Sequence, residues 1–255
     1  MCRKHHGSLF ATFVGAPASS LRWVAGEESV ASYQSSPEGR RSFCSVCGSV
    51  APTVIPQLNL AVAPAGNLSG DLGLKPDSHI FAGSKAPWYT ITDQLTQHDA
   101  YPPDIPAPAI ERPLIETKPG FTLGSCLCGA VAYELEGAPL RAFNCHCSRC
   151  RRGRSAAHAT NFFYAADRFH WRRGEENVRA YKVPDARRFT TAFCRTCGGA
   201  VPYISTELGG AIVPGGSLDS DPGMQPLAHI FVGSKADWFD ITDRLPQYAD
   251  YPPSR

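Results

Sequence analysis

Cys126-Leu127-Cys128-Gly129, followed a short run later by Asn144-Cys145-His146-Cys147-Ser148-Arg149-Cys150, is the stretch on which the reading of this chain turns. It holds half of the ten cysteines in 255 residues, and a C-x-C followed by a C-x-C-x-x-C is hard to explain as packing. Side chains alternate across an extended segment, so each C-x-C aims two sulfurs at one face. A turn after Cys147 folds Cys150 back, and Cys145, Cys147 and Cys150 converge. Cys194-Arg195-Thr196-Cys197 then supplies a second pair for Cys126 and Cys128, with the C-x-x-C spacing of zinc sites. Seven thiols sort in this way into a closed set of four and an open set of three. Four thiolates fill the tetrahedral shell of Zn²⁺ and mark a structural site, whereas three leave a corner for water or a substrate and mark a candidate reaction centre. The alternative is that all seven are structural, with His146 or His158 completing the second shell.

Composition narrows the setting. The chain is long enough for one large or two ordinary domains, and its 43% hydrophobic share suffices for a core. A net charge of +2 gives no reason to expect a bulk polyanion, so neither nucleic acid nor a membrane is an expected partner. Tight cysteine pairs suit metal binding in a reducing cytosol better than a disulfide scaffold. Arg3, Lys4 and the apolar run at residues 9–18 mimic a short signal peptide, but the same stretch aligns with the middle of the second half. No run approaches membrane-span length, and the expectation is a soluble, cytoplasmic protein.

The chain repeats itself at an offset of about 150 residues. His79-Ile80-Phe81-Ala82-Gly83-Ser84-Lys85-Ala86-Pro87-Trp88 returns as His229-Ile230-Phe231-Val232-Gly233-Ser234-Lys235-Ala236-Asp237-Trp238. Phe43-Cys44-Ser45-Val46-Cys47-Gly48 answers Phe193 to Gly198, and Cys2-Arg3-Lys4 answers Cys150-Arg151-Arg152. A period this long is a tandem domain duplication rather than a solenoid. The expected division is a first domain at 1–103, a proline-rich linker at 104–120 and a second domain at 121–255. The first copy lacks everything equivalent to residues 124–149, being either degenerate or truncated. Its missing opening strand leaves a sheet edge that invites pairing with the second copy or with another chain as a homodimer.

Both copies read as mainly β. Strands are expected at residues 128–136, 189–193, 211–214 and 229–232, with one short helix over residues 148–155. Small β-sheets clamped by metal follow from this pattern.

These motifs resemble the glutathione-dependent formaldehyde-activating family, which shares a β-tent fold with centromere-protein-V-like proteins. The resemblance rests on Gly124-Ser125-Cys126-Leu127-Cys128-Gly129, on Asn144 to Arg151 and on Phe193 to Gly198, and it spans nearly all of the second copy. It implies a structural zinc on Cys126, Cys128, Cys194 and Cys197, and a catalytic zinc on Cys145, Cys147 and Cys150. It also implies glutathione as co-substrate and a small aldehyde such as formaldehyde, joined as an S-hydroxymethyl adduct in carbon–sulfur lyase chemistry. The segment after Cys150 departs from the family pattern, which bears on the identity of the thiol.

Three thiolates on Zn²⁺ leave a net negative charge, and Arg149, Arg151, Arg152 and Arg154 lie beside the third thiol. Arg149 and Arg151 are the candidates to offset it or to grip a carboxylate of glutathione. His158 is a candidate proton relay or a structural histidine. His229, Lys235, Trp238 and Asp243 recur in both copies as His79, Lys85, Trp88 and Asp93, which favours packing and capping roles. The rival reading is a non-catalytic, zinc-stapled interaction module presenting the region of Trp238 and Phe239.

Overall fold

Short strands joined by turns and single 3-10 turns make up both copies in a computed structural model that describes residues 1–37, 39–103, 105 and 118–253. The first copy runs α1 (Cys2–His6), β1 (Phe13–Pro17), β2 (Val30–Gln34), β3 (Arg40–Cys44), β4 (Thr53–Ile55), β5 (Leu60–Pro64), β6 (Ser78–His79) and β7 (Thr96–Gln97). The second opens with β8 (Phe121–Ser125), β9 (Ala132–Glu136) and β10 (Arg141–Cys145), then α2 (Ser148–Arg154). It continues through β11 (Ala159–Ala165), β12 (Phe169–Arg173), β13 (Val178–Lys182), β14 (Thr190–Cys194), β15 (Tyr203–Ser205), β16 (Gly210–Pro214), β17 (His229–Ile230) and β18 (Gln247–Tyr248). Most of the proline-rich run expected as a linker lies outside the described residues.

The mainly β expectation holds, with two refinements. Sheets in the second copy have the orders β15-β16-β11-β10-β17-β18, β12-β9-β8 and β13-β14, so one of them is six strands wide. Pairing is antiparallel except for β10 with β17, β17 with β18 and β6 with β7. The strand expected from Cys128 begins only at Ala132, because Gly129 at φ 75° turns the chain first. The one expected at His229 stops after Ile230, where Phe231 takes the left-handed region at φ 58°.

Among the described residues the first copy shows no counterpart of β8, β9 or β10, and its sheets reflect this. Its β1-β5-β4 sheet ends at β1, and β6-β7 stands apart instead of joining through a central strand. Residues 21–25, equivalent to β12, carry no strand, since the β9 partner that holds β12 is missing. Pairing of the open edge with the second copy does not occur among the described residues: β1 pairs with β5 alone.

The two copies join by side-chain packing about a pseudo-two-fold axis. Each donates its late tryptophan to the other: Trp88 stands edge-on to Phe162 at 5.7 Å, in a core with Tyr133, Leu135 and Tyr164. Trp238 packs reciprocally with Ala65, against Val14 and Leu72. Two glycines make the close approach. A Cβ on Gly48, at φ +77°, would sit 2.4 Å from the Phe193 ring, and one on Gly198, at φ +70°, would sit 2.3 Å from Phe43. Thr92 and Thr242 meet hydroxyl to hydroxyl at 2.6 Å. The helix α1 is clamped onto the second copy by Lys4, whose Nζ lies 2.6 Å from Asp219 and donates to Ser125 Oγ at 2.7 Å. His6 Nδ1 lies 2.9 Å from the Arg154 carbonyl. No helix among the described residues is long and apolar enough to cross a membrane.

Candidate metal centre

The local sequence builds two knuckles. After β8 the chain turns through Cys126-Leu127-Cys128-Gly129, with Gly129 N–H donating to the Cys126 carbonyl at 3.2 Å and Val131 N–H donating to Cys126 Sγ at 3.3 Å. After β14 the turn Cys194 to Gly198 closes in the same way, Gly198 N–H donating to the Cys194 carbonyl at 2.9 Å. The Cys126 pair is thus held by a turn and not by strand alternation. The outcome is the convergence the spacing predicts: Cys126, Cys128, Cys194 and Cys197 bring their sulfurs within 4.8 Å of one another. Cys126 and Cys128 lie 3.5 Å apart, Cys128 and Cys194 3.8 Å. Thiolates about 2.3 Å from a tetrahedral zinc stand about 3.8 Å from each other. The set therefore fits zinc, and no disulfide competes, since all ten cysteines are free. Three of its members are buried, and Cys194 also receives Asn177 Nδ2–H at 3.4 Å. Hydrogen bonds from the Cys194 and Cys197 thiols pull Cys126 down to about 2.

Cys44 and Cys47 repeat the second knuckle, Gly48 N–H reaching the Cys44 carbonyl at 2.8 Å. With no C-x-C opposite among the described residues, the pair is half a set there, and Cys47 Sγ turns to Ser49 Oγ at 3.4 Å.

The second convergence lies where β10 ends and α2 begins. Cys145, Cys147 and Cys150 form a second group within the same 4.8 Å limit. Cys147 is the N-cap of α2, its sulfur accepting the Cys150 N–H at 3.3 Å, a place Ser148 would have suited by residue type. Thiol hydrogen bonds from Cys145 and Cys150, with backbone N–H groups behind them, pull Cys147 down to about 3, while Cys145 is pushed up to about 12. Among the described residues no histidine or carboxylate joins these three thiols, so neither His146 nor His158 completes the set. Three buried or half-buried sulfurs with a shared focus fit a metal whose fourth position is not supplied by the described residues.

The arginines separate. Arg149 is exposed on α2, and Arg151 is half-buried, with the charges of Asp237 and Cys147 acting on it. Arg152 reaches across to Ser69 Oγ at 3.0 Å. Arg154 is buried at 6% exposure, and the Cys150 charge acts on its guanidinium against desolvation. It stands four residues after Cys150, one helical turn along the same face, which is the sequence signal that could have singled it out. Tyr203 and Tyr251 also feel the triad's charge, and nothing in their spacing announced this.

Behind the triad lies a histidine cluster. His146 Nε2 meets His229 Nδ1 at 2.8 Å, and His229 Nε2 reaches both carboxylate oxygens of Asp243 at 3.1 and 2.9 Å. His158 stands 5.1 Å from the His146 ring and 5.3 Å from Phe10 of the first copy. Lys235 caps the carbonyls of Ala236 and Phe239. The packing and capping roles expected for the repeated residues are thus present, but His229 carries a contact with His146 as well.

No curated protein matches this chain. A solved crystal structure of a Rhodobacter sphaeroides protein is 31% identical over 39% of this chain and 89% of its own, with a TM-score of 0.32. The family model described as "Glutathione-dependent formaldehyde-activating enzyme" matches residues 1–84 and 122–234. The two matched segments fall on the two copies, and the interruption between them takes in the proline-rich run. Knuckles, open thiol set and matched residues together make this chain a member of the glutathione-dependent formaldehyde-activating enzyme family.

Proposed function

We propose that the second copy is a zinc-dependent enzyme of the carbon–sulfur lyase type. It would add a thiol such as glutathione reversibly to formaldehyde or another small aldehyde, giving an S-hydroxymethyl adduct. The observation that carries this reading is the three-thiol set with no fourth protein donor among the described residues. Cys126, Cys128, Cys194 and Cys197 would hold a structural zinc, and Cys145, Cys147 and Cys150 a catalytic one. When bound at the open set, zinc would supply Lewis acidity that favours a thiolate at neutral pH.

The chain's own residues supply the rest. Arg154, buried beside Cys150, and Arg151, near Cys147, would offset the negative charge of three thiolates. Arg149, exposed on the same helix, and Arg151 would take a carboxylate of the peptide thiol. In the reaction the thiol gives up its proton, its sulfur forms a bond to the aldehyde carbon, and the carbonyl oxygen takes a proton as the C=O π bond breaks. Reversal cleaves that carbon–sulfur bond. Ten free cysteines suit a reducing, cytoplasmic setting.

Exchange between formaldehyde and S-hydroxymethylglutathione, followed by NMR, tests the substrate. A rate no higher than background at neutral pH ends the glutathione version. A cobalt-substituted protein whose spectrum no thiol perturbs would instead support the zinc-stapled interaction module.

A further inference from the structure

The contact between His146 and His229 joins the open thiol set to the fold by a route that the proposed chemistry does not use. Asp243 accepts the His229 Nε2–H and also the Leu245 backbone N–H, the latter at 2.9 Å, so the carboxylate is fixed from two sides. In the tautomer that gives the Nε2 proton to Asp243, His229 presents a lone pair at Nδ1. His146 must then donate from Nε2, which leaves its Nδ1 as an acceptor. That atom is buried and has no partner among the described residues, so Nε2–H is the one hydrogen bond they give this ring. The backbone is tied at the same level: β17 runs parallel beside β10, and the His146 N–H donates to the Ile230 carbonyl at 2.9 Å. His146 is fully buried, and the stacked Phe239 ring lies 5.8 Å away.

Position gives this strut its purpose. His146 separates Cys145 from Cys147, and side chains alternate along an extended segment, so a ring pinned on one side directs both sulfurs to the other. The first copy provides the comparison. His79 Nε2 meets Asp93 at 2.9 Å, and Asp93 accepts the Leu95 N–H at 2.9 Å, as in the second copy. Among the described residues no strand equivalent to β10 lies there, and no imidazole meets the inner nitrogen of His79. The pair is a brace common to both copies, extended to a third member only where an open thiol set lies beyond it.

We propose that Asp243 and His229 are positioning residues for Cys145 and Cys147, acting through His146 to keep the open set converged. The proposal rests on the reading that this set binds a metal. The test uses the full chain loaded with cobalt(II), with each site's affinity measured by competition against a chelator. The closed set serves as an internal reference, and the band that shifts on adding a thiol reports the open set.

His229→Gln and Asp243→Asn should weaken the open site about tenfold, the low end for residues that orient metal ligands, with the closed-site absorption unchanged. His79→Gln and Asp93→Asn should leave both sites as they were. His146→Phe keeps the ring and removes the hydrogen bond, so it should match His229→Gln, and the double variant should lose no more than either alone. If His229→Gln fails to fold, shown by loss of the closed-site absorption, His146→Phe and Asp243→Asn carry the decision. Unchanged open-site affinity in those variants, equal weakening by His79→Gln, or additive losses in the double variant would each overturn the proposal. A wild-type chain that takes up cobalt only at the closed set would instead remove the open-site reading, and this proposal with it.

Discussion

Trp88 belongs to the copy without an open thiol set, yet it fills the core of the copy that has one. It is 6% exposed and lies edge-on against Phe162, with Tyr133, Leu135, Tyr164 and Val213 in the same cluster. Truncating it to alanine removes an indole from a packed interior, which costs about 3–5 kcal/mol when the cavity does not collapse. For a chain of this size each kcal/mol moves the midpoint by about 2–4 °C, so a fall of about 6–20 °C is expected. Thermal unfolding should be followed twice, by far-ultraviolet circular dichroism and by the cobalt–thiolate absorption of the closed set, which lies wholly in the second copy. Trp88→Ala should move both curves down together, and Trp238→Ala, the reciprocal change, should do the same. Val24→Ala, at a position 86% exposed, should stay within about 0.5 kcal/mol of the parent. Should Trp88→Ala leave the cobalt curve in place while circular dichroism loses part of its amplitude early, the copies unfold separately and the shared core is not energetically real.

Cys147→Ser should abolish metal uptake at the open set while the closed set stays loaded, whereas Cys194→Ser should unfold the second copy, both read by metal content after dialysis. Burial holds His6 down at about 4, so the folded chain keeps it neutral while the unfolded chain protonates near 6.5. Stability linked to this residue is therefore intact above pH 6.5 and lost as the pH falls towards 4, by about 3 kcal/mol in all. His6→Gln should flatten that part of a urea-unfolding profile. A chain restricted to residues 118–253 should form a symmetric dimer in sedimentation experiments, each copy lending Trp238 to its twin; a well-folded monomer would contradict the reciprocal packing.

What the sequence disclosed follows from the range of the interactions involved. Metal ligands announce themselves because a knuckle is local: Cys194 to Gly198 closes on its own backbone, and Cys44 to Gly48 does so even without a full ligand set. Alternation alone puts Cys126 and Cys128 on a strand, whereas Gly129 already turns the chain there. Residues whose partners lie far along the chain were harder to place. Repetition marked Trp88 and Trp238 as structural, but no periodicity states which half a buried indole enters. Arg154 was visible as one of four neighbouring arginines, and only helix packing against the first copy separates it from exposed Arg149.

Phe10 and His158 occupy equivalent places in the two copies and face each other at 5.3 Å, an edge-on pair close to the pseudo-axis. A dimer of identical chains must put the same residue on both sides of its axis, giving two rings of one kind. Covalent fusion lifts that restriction. One chain can set an apolar ring against an imidazole where symmetry would have demanded two imidazoles or none, and a buried basic ring gains a neighbour that carries no proton of its own.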